Sequence, residues 1–145
     1  RKSTSCRAGW RCGPLFLMRV LVDTFPFVWL VSQPQKLSFT AKDTLRDESN
    51  EFFLSDVSVL ELSLKYNDGS LKMPQNPRRW IKEQIKLWNF KSIGITRESC
   101  FRLSEMPYYH EDAIDRMLVA TALDQEMSLL SDNEEIQKYP ISIIW

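Results

Sequence analysis

Three carboxylates in this chain stand beside apolar residues, at places far apart in the sequence. Asp23 follows an apolar run at 20–22, Glu61 interrupts an apolar helical stripe, and Asp115 lies just before the mostly apolar stretch 116–120. Because an unpaired carboxylate is costly in apolar surroundings, acids that converge from distant parts of a sequence usually hold a metal ion or a cationic side chain. Carboxylate oxygens suit Mg²⁺ or Mn²⁺, and such ions activate water and stabilise charge on a phosphate. These residues therefore predict a divalent-metal nuclease.

Polar residues follow two of the predicted strands, at the same edge of the predicted sheet. Asp23 ends the first predicted strand, and Asp132 with Asn133 follows the predicted strand at 128–130. In open α/β sheets, ligands bind beyond the carboxyl ends of the strands, because there the chain turns into loops and helix N-termini. We therefore expect both positions at the binding edge.

Glu61 and the pair Asp112 and Asp115 lie on predicted helices. Glu61 shares one helical face, which we expect to point to the core, with three apolar residues, Val57, Leu60 and Leu64. A glutamate on such a face needs a partner. Asp112 and Asp115 are one turn apart at a helix start, so their side chains can point the same way.

Each acid also has a purely structural explanation. Asp112 and Asp115 together fit an ordinary capped helix start. Asp23 can cap the turn that follows its strand, and Glu61 can pair with a buried arginine such as Arg116. The occurrence of all three acids at consistent places in the topology is what favours the metal site.

His110 is the only histidine of the chain and lies beside the acids in the sequence. A histidine can serve as a base, but none is needed where metal ions activate the water. We therefore expect a loop or capping role for His110. Tyr108 and Tyr109 could stack an unpaired RNA base, although packing against the wall of the domain is the simpler interpretation.

Strand-like and helix-like segments alternate along the chain. Strands are predicted at 18–22, 51–54, 90–95, 128–130 and 141–145, and helices at 24–30, 38–46, 56–67, 78–88, 97–105, 112–126 and 134–139, the first capped by Thr24. Such alternation implies a parallel sheet covered on both faces. We therefore predict an α/β fold, a three-layer domain with a central parallel sheet flanked by helices.

The bulk composition fits one ordinary globular domain. The chain has 145 residues, of which 43% are hydrophobic and 26% charged. Four of its 19 basic residues precede residue 18 and all 19 acidic residues follow it, so the body is mildly acidic. This charge argues against a general nucleic-acid coat protein. We interpret residues 1–17 as an upstream extension or expression remnant, and 18–145 as the domain.

The cysteines indicate the compartment. Cys6, Cys12 and Cys100 show no CxxC spacing and no histidine-rich partner segment, which argues against a zinc site. Their odd number and spacing fit a reducing cytoplasm. Arg19, Asp23 and Pro26 break the apolar stretch that begins at residue 15 too early for a membrane span, so we expect a cytoplasmic protein without one.

Four segments resemble the PIN-domain ribonucleases of the VapC toxin type. They are 20–24 (VLVDT), 58–62 (SVLEL), 110–116 (HEDAIDR) and 139–145 (YPISIIW). The resemblance extends from about 18 to 145 and keeps the order and spacing of the motifs. It implies a PIN-like fold and an endoribonuclease that needs Mg²⁺ or Mn²⁺, acts on RNA, pairs with a cognate antitoxin protein and forms a homodimer. It also implies that Asp23, Glu61 and Asp115 form the catalytic acidic core.

One position departs from the family pattern. The family places an acid two residues after a Ser or Thr that follows the fourth strand. Here Ser131 matches the hydroxyl and Asn133 falls on the acid, while Asp132 lies one residue early. Either Asp132 completes the site through a shifted turn or the second metal position is weakened. The candidate metal ligands are therefore Asp23, Glu61, Asp115 and Asp132, and the candidate supporting residues are Thr24, Asp112, Ser131 and Asn133.

Two other classes of function compete with the nuclease. A PIN fold with a weakened site, acting only as an interaction module, is favoured by Asn133. A receiver domain would accept phosphate on an aspartate at the sheet edge, but it needs a pair of adjacent acids after the first strand. Asp23 is followed instead by Thr24 and Phe25.

Overall fold

The central strand of the sheet is apolar after its first residue. β1 (Arg19–Val22) buries Val20, Leu21 and Val22 completely. Parallel strands pair with it on both sides, β2 (Glu51–Ser55) and β4 (Ser128–Leu130). Because both the edges and the faces of this strand are covered, no position in its apolar run meets solvent.

The structure is a computed structural model, and it describes residues 18–145. The interpretation of residues 1–17 as an extension concerns residues outside that range. Beside β1, β2 and β4, the described elements are α1 (Thr24–Ser32), α2 (Phe39–Arg46), α3 (Asp56–Asn67), α4 (Pro77–Leu87), β3 (Lys91–Ile93), α5 (Arg97–Glu105), α6 (Ala113–Asp124) and β5 (Ile143–Ile144), with short 3-10 helices at Pro34–Lys36 and Ile136–Lys138.

The five strands form one parallel sheet in the order β3-β2-β1-β4-β5. Two apolar clusters cover its faces: Val20 and Val22 pack with Phe27 of α1 on one side, and Leu21 packs with Leu118 of α6 on the other. This alternation along β1 confirms the predicted three-layer α/β fold. No helix among residues 18–145 has both the length and the apolar character needed to cross a membrane.

Several helices and strands have boundaries that differ from the predicted ones. The segment predicted as a helix at 134–139 forms only the 3-10 turn Ile136–Lys138, and the strand predicted at 90–95 shortens to β3. The prediction that Thr24 caps the first helix is wrong, because Thr24 is already helical and Asp23 is the N-cap. The Asp23 carboxylate accepts from the Thr24 backbone N–H, so it satisfies a donor that the helix leaves free.

The predicted core face of α3 is also wrong in part. Leu60 and Leu64 are 46% and 57% exposed, whereas Val57, Ser58 and Leu62 are buried. The buried face of the helix is therefore the one that carries Ser58 and Leu62, which are one turn apart; Leu62 packs in the core and Ser58 bonds to Thr24 of α1. This orientation places Glu61 at the rim of the sheet edge, half-buried, and not within the apolar core.

Candidate metal centre

The candidate site lies at the carboxyl ends of the neighbouring strands β1 and β4. The Asp23 backbone N–H donates to the Leu130 carbonyl across 3.0 Å, so the carboxyl ends of these two strands are adjacent. β1 connects through helices to β2 on one side, and its other neighbour is β4. In α/β sheets, ligands bind beyond the carboxyl ends of the strands at such a reversal of strand order. We call this edge, with Asp23, Glu61 and Asp115, the acidic crevice.

Asp23 lies at the floor of this crevice and is only 8% exposed. Its Oδ1 accepts from the Thr24 N–H at 2.7 Å, and its Oδ2 accepts from the Ser131 hydroxyl at 2.7 Å. Burial raises the pKa of Asp23 to about 6; the bonds from Ser131 and Thr24 oppose the rise, and the charges of Asp115 and Glu61 add to it. The alternative role of Asp23 as a cap is thus also correct, since one carboxylate oxygen caps α1.

Glu61 approaches the crevice from α3. Burial raises its pKa, the Thr24 hydroxyl and Lys65 lower it, and the charges of Asp115 and Asp112 raise it again. The Thr24 hydroxyl itself is completely buried and donates to the Ser58 hydroxyl at 2.9 Å, which ties α1 to α3 beside Asp23. The suggested pairing of Glu61 with Arg116 does not occur in the described part of the chain.

Asp115 enters the crevice from the first turn of α6. Its backbone N–H donates to Oδ1 of Asp112 at 3.0 Å, so Asp112 caps the helix as predicted. Burial raises the pKa of the Asp115 carboxyl, the charge of Asp112 adds to the rise, and His110 and Asn133 oppose it. Asp112 is exposed at the rim, where its negative charge faces the half-buried Asp115.

The turn after β4 brings Asn133 into the site and leaves Asp132 outside. Nδ2 of Asn133 donates to Oδ2 of Asp115 at 2.8 Å, while its backbone N–H donates to the Ser131 hydroxyl at 3.1 Å. Asp132 is exposed and makes no hydrogen bond or ion pair with the other residues at 18–145. Asn133 and Ser131 therefore take the positions that the family spacing assigns them, without a shifted turn that would bring Asp132 inward.

The ring of His110 lies between the site and the interior. Its Nε2 is 3.2 Å from Oδ2 of Asp115, and its Nδ1 is 2.9 Å from the Tyr139 hydroxyl. Of the two roles expected for His110, loop or cap, its place in the loop before α6 agrees with the first, and Asp112 is the cap of α6. Tyr109 packs edge-on against Tyr139, and Tyr108 lies over the Arg116 guanidinium, but the two tyrosines are still 48% and 72% exposed, so packing against the domain covers only part of each ring.

The donor set fits a divalent cation chemically. The charges of Asp115 and Glu61 raise the pKa of Asp23, and that of Asp115 raises the pKa of Glu61, so the three carboxylates repel one another. Hard oxygen donors with an unneutralised negative charge are what Mg²⁺ and Mn²⁺ bind. Within residues 18–145, no three acidic, histidine or cysteine side chains already surround a common point suited to an ion. Instead, oxygens of Asp23 and Asp115 accept hydrogen bonds from other groups of the protein.

Sequence reasoning missed Ser58 and Tyr139 as parts of this site. Both belong to segments that carry the family resemblance, but each acts through a hydrogen bond to a residue far away in the chain, Thr24 for Ser58 and His110 for Tyr139. The spacing of residues in a short segment does not predict a hydrogen bond to a residue far away in the chain. Arg116 is buried, as the sequence suggested, but its partners were not predicted: its guanidinium donates to the Pro107 and Leu103 carbonyls and to the Tyr139 hydroxyl.

The receiver-domain alternative is wrong. A flavodoxin-like receiver sheet has the order 2-1-3-4-5, whereas this sheet has the order 3-2-1-4-5. The additional acid that a receiver places beside its phosphate acceptor is also replaced by Thr24, whose hydroxyl is engaged with Ser58.

Comparisons with known proteins agree with the fold. Ribonuclease VapC22 of Mycobacterium tuberculosis is 21% identical over 121 residues, which cover 83% of this chain and 91% of that protein. VapBC2 from Rickettsia felis, solved bound to a promoter DNA fragment, has a TM-score of 0.66 at 14% identity, with 87% of this chain and 97% of that chain covered. DNA-bound VapBC from Salmonella typhimurium has a TM-score of 0.62 at 13% identity, with 88% and 97% covered. The model of the PIN domain matches residues 20–141, and this chain belongs to the PIN domain family.

Proposed function

We propose that this chain is a divalent-metal-dependent endoribonuclease. The observation that carries the proposal is that Asp23, Glu61 and Asp115, from three different elements, all have pKa values raised by burial, and that the charge of Asp115 raises the pKa values of Asp23 and Glu61 further. Perturbed acids that meet in a crevice at a strand edge are typical of functional sites. A buried structural acid would instead have a cationic partner; among residues 18–145 no lysine or arginine forms an ion pair with these three acids, and only Lys65 lowers the pKa of one of them, Glu61.

Asp23, Glu61 and Asp115 are the residues that would hold Mg²⁺ or Mn²⁺. Such an ion, when bound, activates a water molecule and stabilises charge on the phosphate. The chain itself orients the ligands: Ser131 and the Thr24 N–H hold Asp23, and Asn133 holds Asp115. Asn133 takes the fourth position as a neutral group, and Asp132, which is exposed, is not in the proposed ligand set.

RNA is the substrate that we propose. The support is the relationship to ribonuclease VapC22 over nearly its whole length. The chemistry of the site requires only a phosphodiester that can reach a crevice between β1 and β4. The acidic crevice itself repels a polyanion, so productive binding of RNA depends on the cation as well as on the surrounding surface.

We further propose that the chain is the toxin of a toxin–antitoxin pair and forms a homodimer. The solved structures that it resembles include VapBC assemblies. Among residues 18–145, several large apolar side chains remain exposed on helices, which is typical of surfaces covered by protein partners: Phe39, Leu60, Leu64, Leu87 and Phe101. Light scattering of the purified chain measures the dimer directly, and a monomer at micromolar concentration contradicts it.

The nuclease is tested by incubating purified protein with total cellular RNA, with Mg²⁺ or Mn²⁺ and with EDTA. We expect cleavage only with the metal, and none by the Asp23→Asn variant. The matched control is Asp43→Asn, which removes an equal charge from an exposed position on α2 and should cleave like the wild type. Induced expression should arrest growth for the wild type and the control but not for Asp23→Asn.

A second candidate is a PIN-fold interaction module with a weakened site, which Asn133 favours because it supplies no negative charge where the family has an acid. This alternative predicts a folded protein that binds its partner but cleaves RNA no faster with Mn²⁺ than with EDTA. Metal-independent growth arrest by Asp23→Asn, equal to that of the wild type, would support the module over the nuclease.

A further inference from the structure

A chain of hydrogen bonds runs from a buried arginine to one of the candidate metal ligands. Nη1 of Arg116 donates to the Tyr139 hydroxyl at 2.9 Å, this hydroxyl lies 2.9 Å from Nδ1 of His110, and Nε2 of His110 lies 3.2 Å from Oδ2 of Asp115. Tyr139 is 2% exposed and Arg116 8%, and the side chain of His110 is 11% exposed. The path is therefore largely closed to water.

Each hydrogen bond on this path has a defined donor and acceptor. Arginine can only donate, so the Tyr139 hydroxyl accepts from Arg116 and has one proton of its own to give. Within the described residues, Nδ1 of His110 is the acceptor in reach of that proton. Nδ1 is then unprotonated, and the neutral imidazole carries its proton on Nε2, where it donates to Asp115. A doubly protonated ring would leave the Tyr139 proton buried without an acceptor, beside the positive Arg116.

We propose that His110 is a positioning residue for Asp115, held in the Nε2–H form by Tyr139 and Arg116. The inference rests on the proposed function, because the purpose of the positioning is to present Asp115 to a cation. Oδ2 of Asp115 accepts from both His110 and Asn133, at 3.2 and 2.8 Å, while Oδ1 accepts no hydrogen bond from the other residues at 18–145. Oδ1 is thus the oxygen left for a metal ion.

A positioning role for His110 and a role that only fills space predict different effects of substitution. A donor outside the ligand shell fixes the orientation of a ligating group and typically changes metal affinity by about tenfold or more when removed. A space-filling role predicts instead that truncation lowers the free energy of unfolding and leaves metal affinity unchanged. Glutamine separates the two roles, because its Nε2 amide can donate where the imidazole Nε2 does, without the aromatic ring.

The first experiment measures the tautomer itself. His110 is the only histidine, so untagged protein with ¹⁵N-labelled histidine has a single pair of ring nitrogen signals. In metal-free buffer at neutral pH we expect a protonated Nε2 and an unprotonated Nδ1, and a loss of this preference in Tyr139→Phe. A protonated Nδ1 in the wild type, or a preference unchanged in Tyr139→Phe, overturns the proposed lock. Neither result depends on whether the chain cleaves RNA.

The second experiment measures Mn²⁺ affinity by calorimetry for the wild type, His110→Ala and His110→Gln. We expect about tenfold weaker binding for His110→Ala and near-complete recovery for His110→Gln, with urea unfolding as the control for folding. Equal losses in both variants, or no loss in either, overturn the positioning role. A wild type with the expected tautomer that binds no Mn²⁺ overturns the proposed function and with it the purpose assigned to His110, while the tautomer lock itself stands.

Discussion

The side-chain amide of Asn133 donates from Nδ2 to Oδ2 of Asp115 at 2.8 Å, and its Oδ1 accepts from the backbone N–H of Glu135 at 3.0 Å. Because Glu135 N–H can only donate, the oxygen of the amide must face it and the NH₂ group must face Asp115. A carboxylate at this position would place two negative oxygens in contact. The amide therefore stabilises the acidic crevice when no cation neutralises it.

Asn133→Asp should raise Mn²⁺ affinity roughly tenfold, because a hard cation prefers a carboxylate to a neutral group. The same variant should lower the metal-free free energy of unfolding by about 1–2 kcal/mol, since it replaces a hydrogen bond to Asp115 with like-charge repulsion. Calorimetry and urea unfolding in EDTA measure the two effects. The opposite signs of the two changes distinguish a ligand position from a general loss of structure.

Asp132→Ala is the matched control for that turn. Asp132 is exposed and without a hydrogen bond to the rest of the described chain, so we expect metal affinity within twofold of the wild type and stability within about 0.5 kcal/mol. A large loss of Mn²⁺ binding in this variant would show that Asp132 turns inward to act as a ligand, and the assignment of the fourth position to Asn133 would then be wrong.

The metal-free stability of the domain should increase as the pH falls from 7 to 5. The pKa of Asp23 in the folded chain is about 6, above its ordinary value of 3.8, so the folded state binds this proton more tightly than the unfolded state does. The full effect corresponds to at most about 3 kcal/mol and is complete only below pH 3.8. Glu61 and Asp115 act in the same direction.

Urea unfolding in EDTA at pH 5, 6 and 7 measures this dependence, with Asp23→Asn as the control. The variant has no carboxyl to titrate at this position, so its stability should change less over the same range. The exposed Asp47, Asp68 and Glu135, whose pKa values are lowered, lose their contributions only at more acidic pH. Parallel pH curves for wild type and variant would contradict the raised pKa of Asp23.

Mn²⁺ affinity should have the reverse pH dependence. Ligands must be deprotonated to bind a cation, so protonation of Asp23 competes with the metal as the pH falls through about 6. One competing proton with this pKa weakens the apparent affinity roughly tenfold between pH 7 and 5. Calorimetry at the two pH values checks this, and an unchanged affinity would exclude Asp23 from the ligands.

Ser131→Ala should destabilise the domain by about 1–3 kcal/mol, because a buried hydroxyl that donates to Asp23 and accepts from the Asn133 N–H is lost. Loss of the bond to Asp23 should also raise the pKa of that carboxyl further. Ser128→Ala is the control: its hydroxyl bonds Ser142 at the exposed edge, so we expect a change within about 0.5 kcal/mol. Equal effects of the two substitutions, measured by urea unfolding, would contradict the assigned role of Ser131.

The order of elements and the place of the candidate acids could be predicted from the sequence because both depend on local patterns. The apolar run before Asp23 is a property of one strand, and the cap at Asp112 is a property of one helix start. Since parallel strands carry their ligand sites at the carboxyl edge, the place of Asp23 after its strand was enough to put it at that edge of the sheet.

Only the tertiary structure decided which neighbours these acids have. α3 exposes Leu60 and Leu64, because the packing of Leu62 in the core and the hydrogen bond of Ser58 to Thr24 of α1 outweigh the apolar pattern of the helix itself. The choice of Asn133 over Asp132 depends on a turn that must satisfy the Ser131 hydroxyl and the Glu135 N–H together.

The path from Arg116 to Asp115 shows why such contacts cannot be predicted from the sequence. Tyr139 meets His110 across 29 positions of the chain, and Asn133 meets Asp115 across 18. Whether two such residues touch depends on how α6, β4 and the turn before β5 pack as a whole, whereas residue type and spacing report only what lies within a few turns of each position. The chain by itself determined the acids and their edge of the sheet, and the packing of distant elements decided which donors hold them.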